Sequence, residues 1–222
     1  MRQYSMQRLS LLWMFMKKRN EGDDKNDDDA PNKRKSKTNQ DENFDHKLDR
    51  IQKLGNFQLP NGGFSYWQGN TTADDWGTSY AGHFLIEAEK KGYVLPVNFK
   101  SKWISYQQKM AKQWRFESQY RNDEAQAYRL YTLALAGSPD MASMNRLRET
   151  AGISNESKLR LAAAYALAGQ KQAAQSLFSR SSLDAVHTNG YSYYGSAERN
   201  KAMALETLLL LGDKQRSFQL AN

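Results

Sequence analysis

Gln58–Tyr80, QLPNGGFSYWQGNTTADDWGTSY, is the stretch on which the fold turns. It interrupts a chain that otherwise reads as helices. It is rich in Gly and Asn and holds five aromatic residues: Phe64, Tyr66, Trp67, Trp76 and Tyr80. Pro60-Asn61-Gly62-Gly63 is a turn by chemistry, because proline sets φ and glycine permits positive φ. Gln58-x3-Gly62-x-Phe64 forms a Q-x3-G-x-aromatic pattern. Such a glutamine ties two hairpins by hydrogen bonds while the aromatic packs on a helix end. A second Gly-aromatic loop, Thr188–Arg199 (TNGYSYYGSAER), also leads into a helix. Aromatics on such loops line a ligand groove or cap helix ends, and capping is the plainer reading. As a binding rim the candidates are Tyr66, Trp67, Trp76, Tyr191, Tyr193 and Tyr194.

Outward from these loops, apolar residues recur at helical spacing. The periodicity predicts helices over Phe44–Leu54, Thr78–Gly92, Asn98–Trp114 and Asp123–Ala136. Ser138-Pro139 predicts another start, with Ser as N-cap and Pro in the first turn. Ser154–Ala168, Gln170–Arg180, Glu198–Leu211 and Asp213–Asn222 complete the series, the last running out in mid-pattern. Gly92, Gly137, Gly169 and Gly212 each close one helix and precede another, at intervals of 45, 32 and 43 residues. A tetratricopeptide array holds close to 34 residues, and only the middle interval does. Irregular spacing favours all-α hairpins arranged around an α/α-toroid with insertions on one rim. A distorted solenoid is the alternative.

The 222 residues carry a formal charge of +8, three histidines and no cysteine. That excludes a disulfide scaffold, thiolate metal sites and a cysteine nucleophile, and makes His-rich metal sites implausible. Residues 1–50 contain 12 Lys/Arg and 10 Asp/Glu, so most of the net charge belongs to the helical body. Asn20–Asn43 has no Leu, Ile, Val, Phe, Trp, Tyr or Met. Such a segment cannot bury enough apolar surface to offset its ordering entropy. Residues 1–43 are therefore expected to be a disordered or non-native tail, and residues 44–222 the domain. Leu9–Met16 (LSLLWMFM) is apolar, but Lys17-Lys18-Arg19 follows at once and no small-x-small cleavage site appears, which opposes a signal peptide. The run is also too short to span a bilayer.

Chemistry-bearing residues are few. His83 lies in an amphipathic helix with no placed nucleophile, so a structural histidine is the plainer reading than a general base. No motif singles out His187. Asp74-Asp75 precede a helix start, where acids favour the dipole. Asn70-Thr71-Thr72 and Asn155-Glu156-Ser157 are chance-frequency sequons. Lys and Arg are dispersed without an Arg-aromatic platform, which argues against nucleic acid.

Gln58–Pro96 and Tyr191–Asp213 (YSYYGSAERNKAMALETLLLLGD) resemble the thioester-domain region of bacterial α2-macroglobulin family proteins. The likeness runs over roughly residues 45–222. It implies an α/α-toroid of helical hairpins, like terpenoid cyclases and complement thioester domains, in a periplasmic or cell-envelope protein that traps proteases. The family's thioester requires a Cys-x-Glu-Gln stretch, and this sequence has no cysteine. The resemblance implies six hairpins, and about four to five are legible. The expected protein is thus an incomplete toroid, a fragment of a protease-inhibitor protein without thioester chemistry. It would not be an enzyme, would need no cofactor or metal, and would have proteases and other domains of the same protein as partners. Alternatives are a helical-repeat peptide-binding module, or an α/α-toroid enzyme acting on glycans or isoprenoids.

Overall fold

A computed structural model describes residues 51–120, 122–181 and 197–221. The tail of residues 1–43 and the loop carrying His187, Tyr191, Tyr193 and Tyr194 lie outside the described residues. Among those described there are eight α-helices: α1 Asp75–Lys90, α2 Phe99–Gln113, α3 Asp123–Leu135, α4 Met141–Glu149, α5 Asn155–Leu167, α6 Lys171–Ser179, α7 Ala197–Leu211 and α8 Lys214–Ala221. Of the first expected helix, residues 51–54 are helical and the rest lies outside the described region.

The helices form two rows. α1, α3, α5 and α7 pack side by side in chain order, and α2, α4, α6 and α8 lie behind them, each against its own hairpin partner. The glycine turns after α1, α3, α5 and α7 fold each outer helix back against its inner neighbour. The turn chemistry repeats. Ser138 N–H donates to Leu133 O, Gln170 N–H to Tyr165 O, Asp213 N–H to Leu208 O and Tyr93 N–H to Ala88 O, at 2.8–3.1 Å. Each is the six-residue closure of a Schellman motif around the glycine named above.

Inner helices must bury most of their circumference, and their sequences allow it. α3 buries every residue from Gln126 to Ala134. α5 buries Leu161-Ala162-Ala163-Ala164-Tyr165, whose small residues let neighbours approach closely. α3, α5 and parts of α2, α4, α6 and α7 share one apolar core. Ile51, Phe64, Leu85, Ile86, Phe99 and Trp103 belong to a second core between α1, α2 and the 58–74 loop.

Two expected helix starts shift. α4 is capped by Asp140, whose Oδ1 accepts Ser143 N–H at 2.9 Å, rather than by Ser138. Ser138 lies in the preceding turn, its N–H donating to Leu133 O, and regular helix begins only at Met141. α1 begins three residues before Thr78, because Asp74 Oδ1 accepts Gly77 N–H at 2.6 Å and caps it. Asp74 therefore plays the helix-start role expected of it.

Candidate functional site

The 58–74 loop is built as the glutamine motif predicts. Gln58 Nε2 donates to Phe99 O at 2.9 Å, tying the loop to the first residue of α2. Isolated bridges pair Gln58 with Phe64 and Ser65 with Ala73. Phe64 is 2% exposed and meets Phe99 edge-on at 5.6 Å between centroids. Its backbone is held at both ends by Thr78 Oγ1, which accepts Phe64 N–H at 2.9 Å and donates to Phe64 O at 3.2 Å. Gly62 is required at its position, since a Cβ there would lie 2.1 Å from Lys102 O.

The candidate rim residues separate. Tyr66 and Trp67 contact each other edge-on at 5.1 Å, and Trp67 is 46% exposed. Trp76 instead starts α1 half-buried, with its ring 4.8 Å from that of Tyr128. The structure thus brings Tyr66 and Trp67 together on the loop and places Trp76 on the inner row.

There Trp76 joins a belt that no motif announced. α1 contributes Trp76 and His83, α3 Tyr128 and Tyr131, α5 Arg160 and α7 Glu206. The spacing of seven in α1 and three in α3 sets each pair on one helix face. His83 Nδ1 and Tyr128 OH are 3.0 Å apart. Tyr131 OH donates to Glu206 Oε1, and Arg160 donates to Glu206 Oε2 at 3.1 Å. The Arg160 guanidinium also lies 4.5 Å from the Tyr131 ring centroid and 5.6 Å from that of Tyr128, a cation–π geometry.

Burial, aided by the Arg160 charge, holds the His83 pKa below its ordinary 6.5, so the imidazole is neutral at pH 7. Burial and the hydrogen bond to Glu206 push the Tyr131 hydroxyl well above the usual phenol range. The belt therefore holds a neutral histidine bonded to Tyr128, and a protonated Tyr131 bonded to the Arg160–Glu206 ion pair. No group of three or more potential metal ligands occurs among the described residues. The only sequence signal for Arg160 and Glu206 is a charge inside an apolar run, LRLAAAYALA and ALETLLLL.

A second polar assembly stitches α1, α2 and α3. Arg129 is 2% exposed. It donates to Gln107 Oε1 at 3.1 Å, Gln126 Oε1 at 2.6 Å and Asp75 Oδ1 at 2.7 Å. Gln107 continues to Ser79 Oγ, and Gln126 to the Ala111 carbonyl. A buried guanidinium with this many partners is a structural node.

No family model and no curated protein matches the chain. Solved structures do. Native alpha-2-macroglobulin from Escherichia coli, from domain MG7 to the C-terminus, aligns at TM-score 0.68 and 20% identity, over 82% of this chain and 31% of that one. The Escherichia coli protein activated by porcine elastase aligns at 0.66 and 22%, over 82% and 18%. Salmonella alpha-2-macroglobulin reacted with methylamine aligns at 0.64 and 21%, over 83% and 14%. The chain spans less than a third of the length of these proteins, and over that span it shares the all-α hairpin fold of bacterial alpha-2-macroglobulin.

Proposed function

We propose that the chain is a helical, toroid-type part of an alpha-2-macroglobulin-like protease-inhibitor protein, acting by noncovalent binding and without covalent thioester chemistry. One combined observation carries this reading: a hairpin fold shared over 82% of the chain with bacterial alpha-2-macroglobulin, in a sequence with no cysteine. A thioester of the family's kind needs a cysteine sulfur, and these residues supply none. Among the solved neighbours are Escherichia coli proteins activated by trypsin and by porcine elastase. On this reading proteases and other domains of the same protein are the partners, and the parent is a periplasmic or envelope protein. On this reading, too, the inner row is part of the wall of an α/α-toroid, and Tyr66 and Trp67 contribute to the contact rim. The chain has binding roles and no catalytic ones.

Mixing the chain with trypsin or porcine elastase tests the reading. Expected is a complex that survives native gel filtration, dissociates in SDS and takes up no labelled methylamine. An SDS-resistant adduct, methylamine uptake, or no association with either protease would sink it.

A further inference from the structure

The belt joins helices that are not neighbours. α3 and α7 lie on opposite sides of α5, and each packs on it. Yet Tyr131 of α3 donates its hydroxyl hydrogen to Glu206 of α7. Arg160 of α5 lies between them. It donates to the same carboxylate at 3.1 Å, and its guanidinium sits 4.5 Å from the Tyr131 ring centroid. One carboxylate on α7 is therefore gripped from two other inner helices. Among the described residues α7 packs on α5, α6 and α8, while Leu209 on its surface is 61% exposed. The α7–α8 hairpin is thus covered on one flank and open on the other.

His83 of α1 acts on the same grip from the other end. Its ring meets those of Tyr128 and Tyr131 edge-on, at 6.0 and 5.7 Å between centroids. Arg160 covers the same two rings at 5.6 and 4.5 Å. The two tyrosines of α3 are thus shared between a histidine and an arginine. His83 Nδ1 is 3.0 Å from Tyr128 OH. In the neutral ring with hydrogen on Nε2, Nδ1 accepts the hydroxyl hydrogen, whereas in the imidazolium it can only donate. The charged groups acting on His83 are Arg160 from α5, Glu206 from α7, and Glu87 and Lys90 from α1 itself. Glu87 and Lys90 pair with each other at 2.9 Å. That leaves Glu206 to face both Arg160 and a charged His83.

Neutral His83 accepts from Tyr128 and leaves Glu206 to Tyr131 and Arg160. A proton on the imidazole reverses both conditions. We propose that the belt is an acid-released latch: a proton on His83 sets a second cation near Arg160, draws Glu206 away from Tyr131 and Arg160, and frees the α7–α8 hairpin from α3. The helices themselves stay folded, because only side-chain bonds are exchanged. Burial and the Arg160 charge keep His83 neutral at pH 7. The latch is therefore closed above pH 6.5 and opens as the pH falls below it, where the folded His83 takes up its proton. The device stands independently of the protease-binding reading.

The absence of cysteine lets two spin labels be placed specifically. The full chain is made as Ser105→Cys/Gln219→Cys, at exposed sites on α2 and α8. The distance between the labels is measured from about pH 7.5 down to about pH 5. Expected is one narrow distance at the upper end and a longer, broader one at the lower end, with unchanged helical circular dichroism. In the same labelled chain His83→Gln, whose amide oxygen still accepts from Tyr128 and takes no proton, keeps the narrow distance throughout. Tyr131→Phe, which removes one of the two grips on Glu206, shows the broad distance already at the upper end. A labelled parent whose distance ignores pH, or changes only with loss of the helical signal, would overturn the proposal. So would a His83→Gln chain that responds as the parent does, which would assign the response to carboxylates. A Tyr131→Phe chain that keeps the narrow distance would do the same, leaving α7 held by apolar packing alone.

Discussion

The indole of Trp103 lies so close to Gly82 that a Cβ on the glycine would sit 2.0 Å from its Cε2. The same indole donates to Thr78 O at 2.8 Å. One ring thus packs on α1 and pins its first turn while remaining wholly buried. α1 and α2 can approach this closely only because position 82 lacks a side chain.

Gly82→Ala is therefore expected to destabilise the chain, against the usual gain from Ala in a helix. Overpacking of this kind costs about 1–3 kcal/mol, and urea denaturation reads it. Trp103 emission should change as its ring is displaced. An unchanged midpoint would mean that the helices separate freely.

The loop tie is the next test. Gln58→Ala removes the bond to Phe99 O and is expected to cost about 1 kcal/mol. Phe64→Ala removes the buried ring beneath it and is expected to cost about 3–5 kcal/mol. Hydrogen exchange should rise across residues 58–74 in the first variant and spread into α1 and α2 in the second.

The belt makes a prediction about pairing. Glu206→Gln leaves Arg160, whose side chain is 14% exposed, without its carboxylate. Because Glu206 is itself 39% exposed, the expected loss is about 1–2 kcal/mol, below that of a fully buried pair. Arg160→Met/Glu206→Leu should recover part of it. A double-mutant cycle that shows no coupling would reduce the pair to coincidental proximity.

His83 gives a pH signature. Its folded pKa lies below its ordinary 6.5. The unfolded chain therefore binds the proton first as pH falls. The contribution of His83 is fully present above pH 6.5 and is lost as pH drops from there through the folded pKa. His83→Phe should flatten that part of the curve relative to wild type, as read by urea denaturation at successive pH values.

Much of the fold was legible from local chemistry. The helices after Phe99 lie within a few residues of their periodic segments, and the glycine turns close as their spacing suggested. Gln58, Gly62 and Phe64 act as their pattern implies. The Ser138 cap gave way to Asp140 two residues on, whose carboxylate accepts Ser143 N–H. The belt was invisible for a different reason. Trp76, His83, Tyr128, Tyr131, Arg160 and Glu206 span 131 positions from first to last, and no short-range pattern relates them.

Sequence alone determined the helical class, the hairpin repeat and the exclusion of cysteine chemistry. Each depends on residue type or on spacings shorter than a hairpin, where propensity, periodicity and turn geometry act. Tertiary structure decided which helices form the inner row, that Trp76 faces Tyr128 rather than joining Tyr66 and Trp67, and that Arg160 and Tyr131 meet at Glu206. Those outcomes follow from packing between segments far apart in the chain. There burial and close approach select one arrangement among many that the same local pattern would allow.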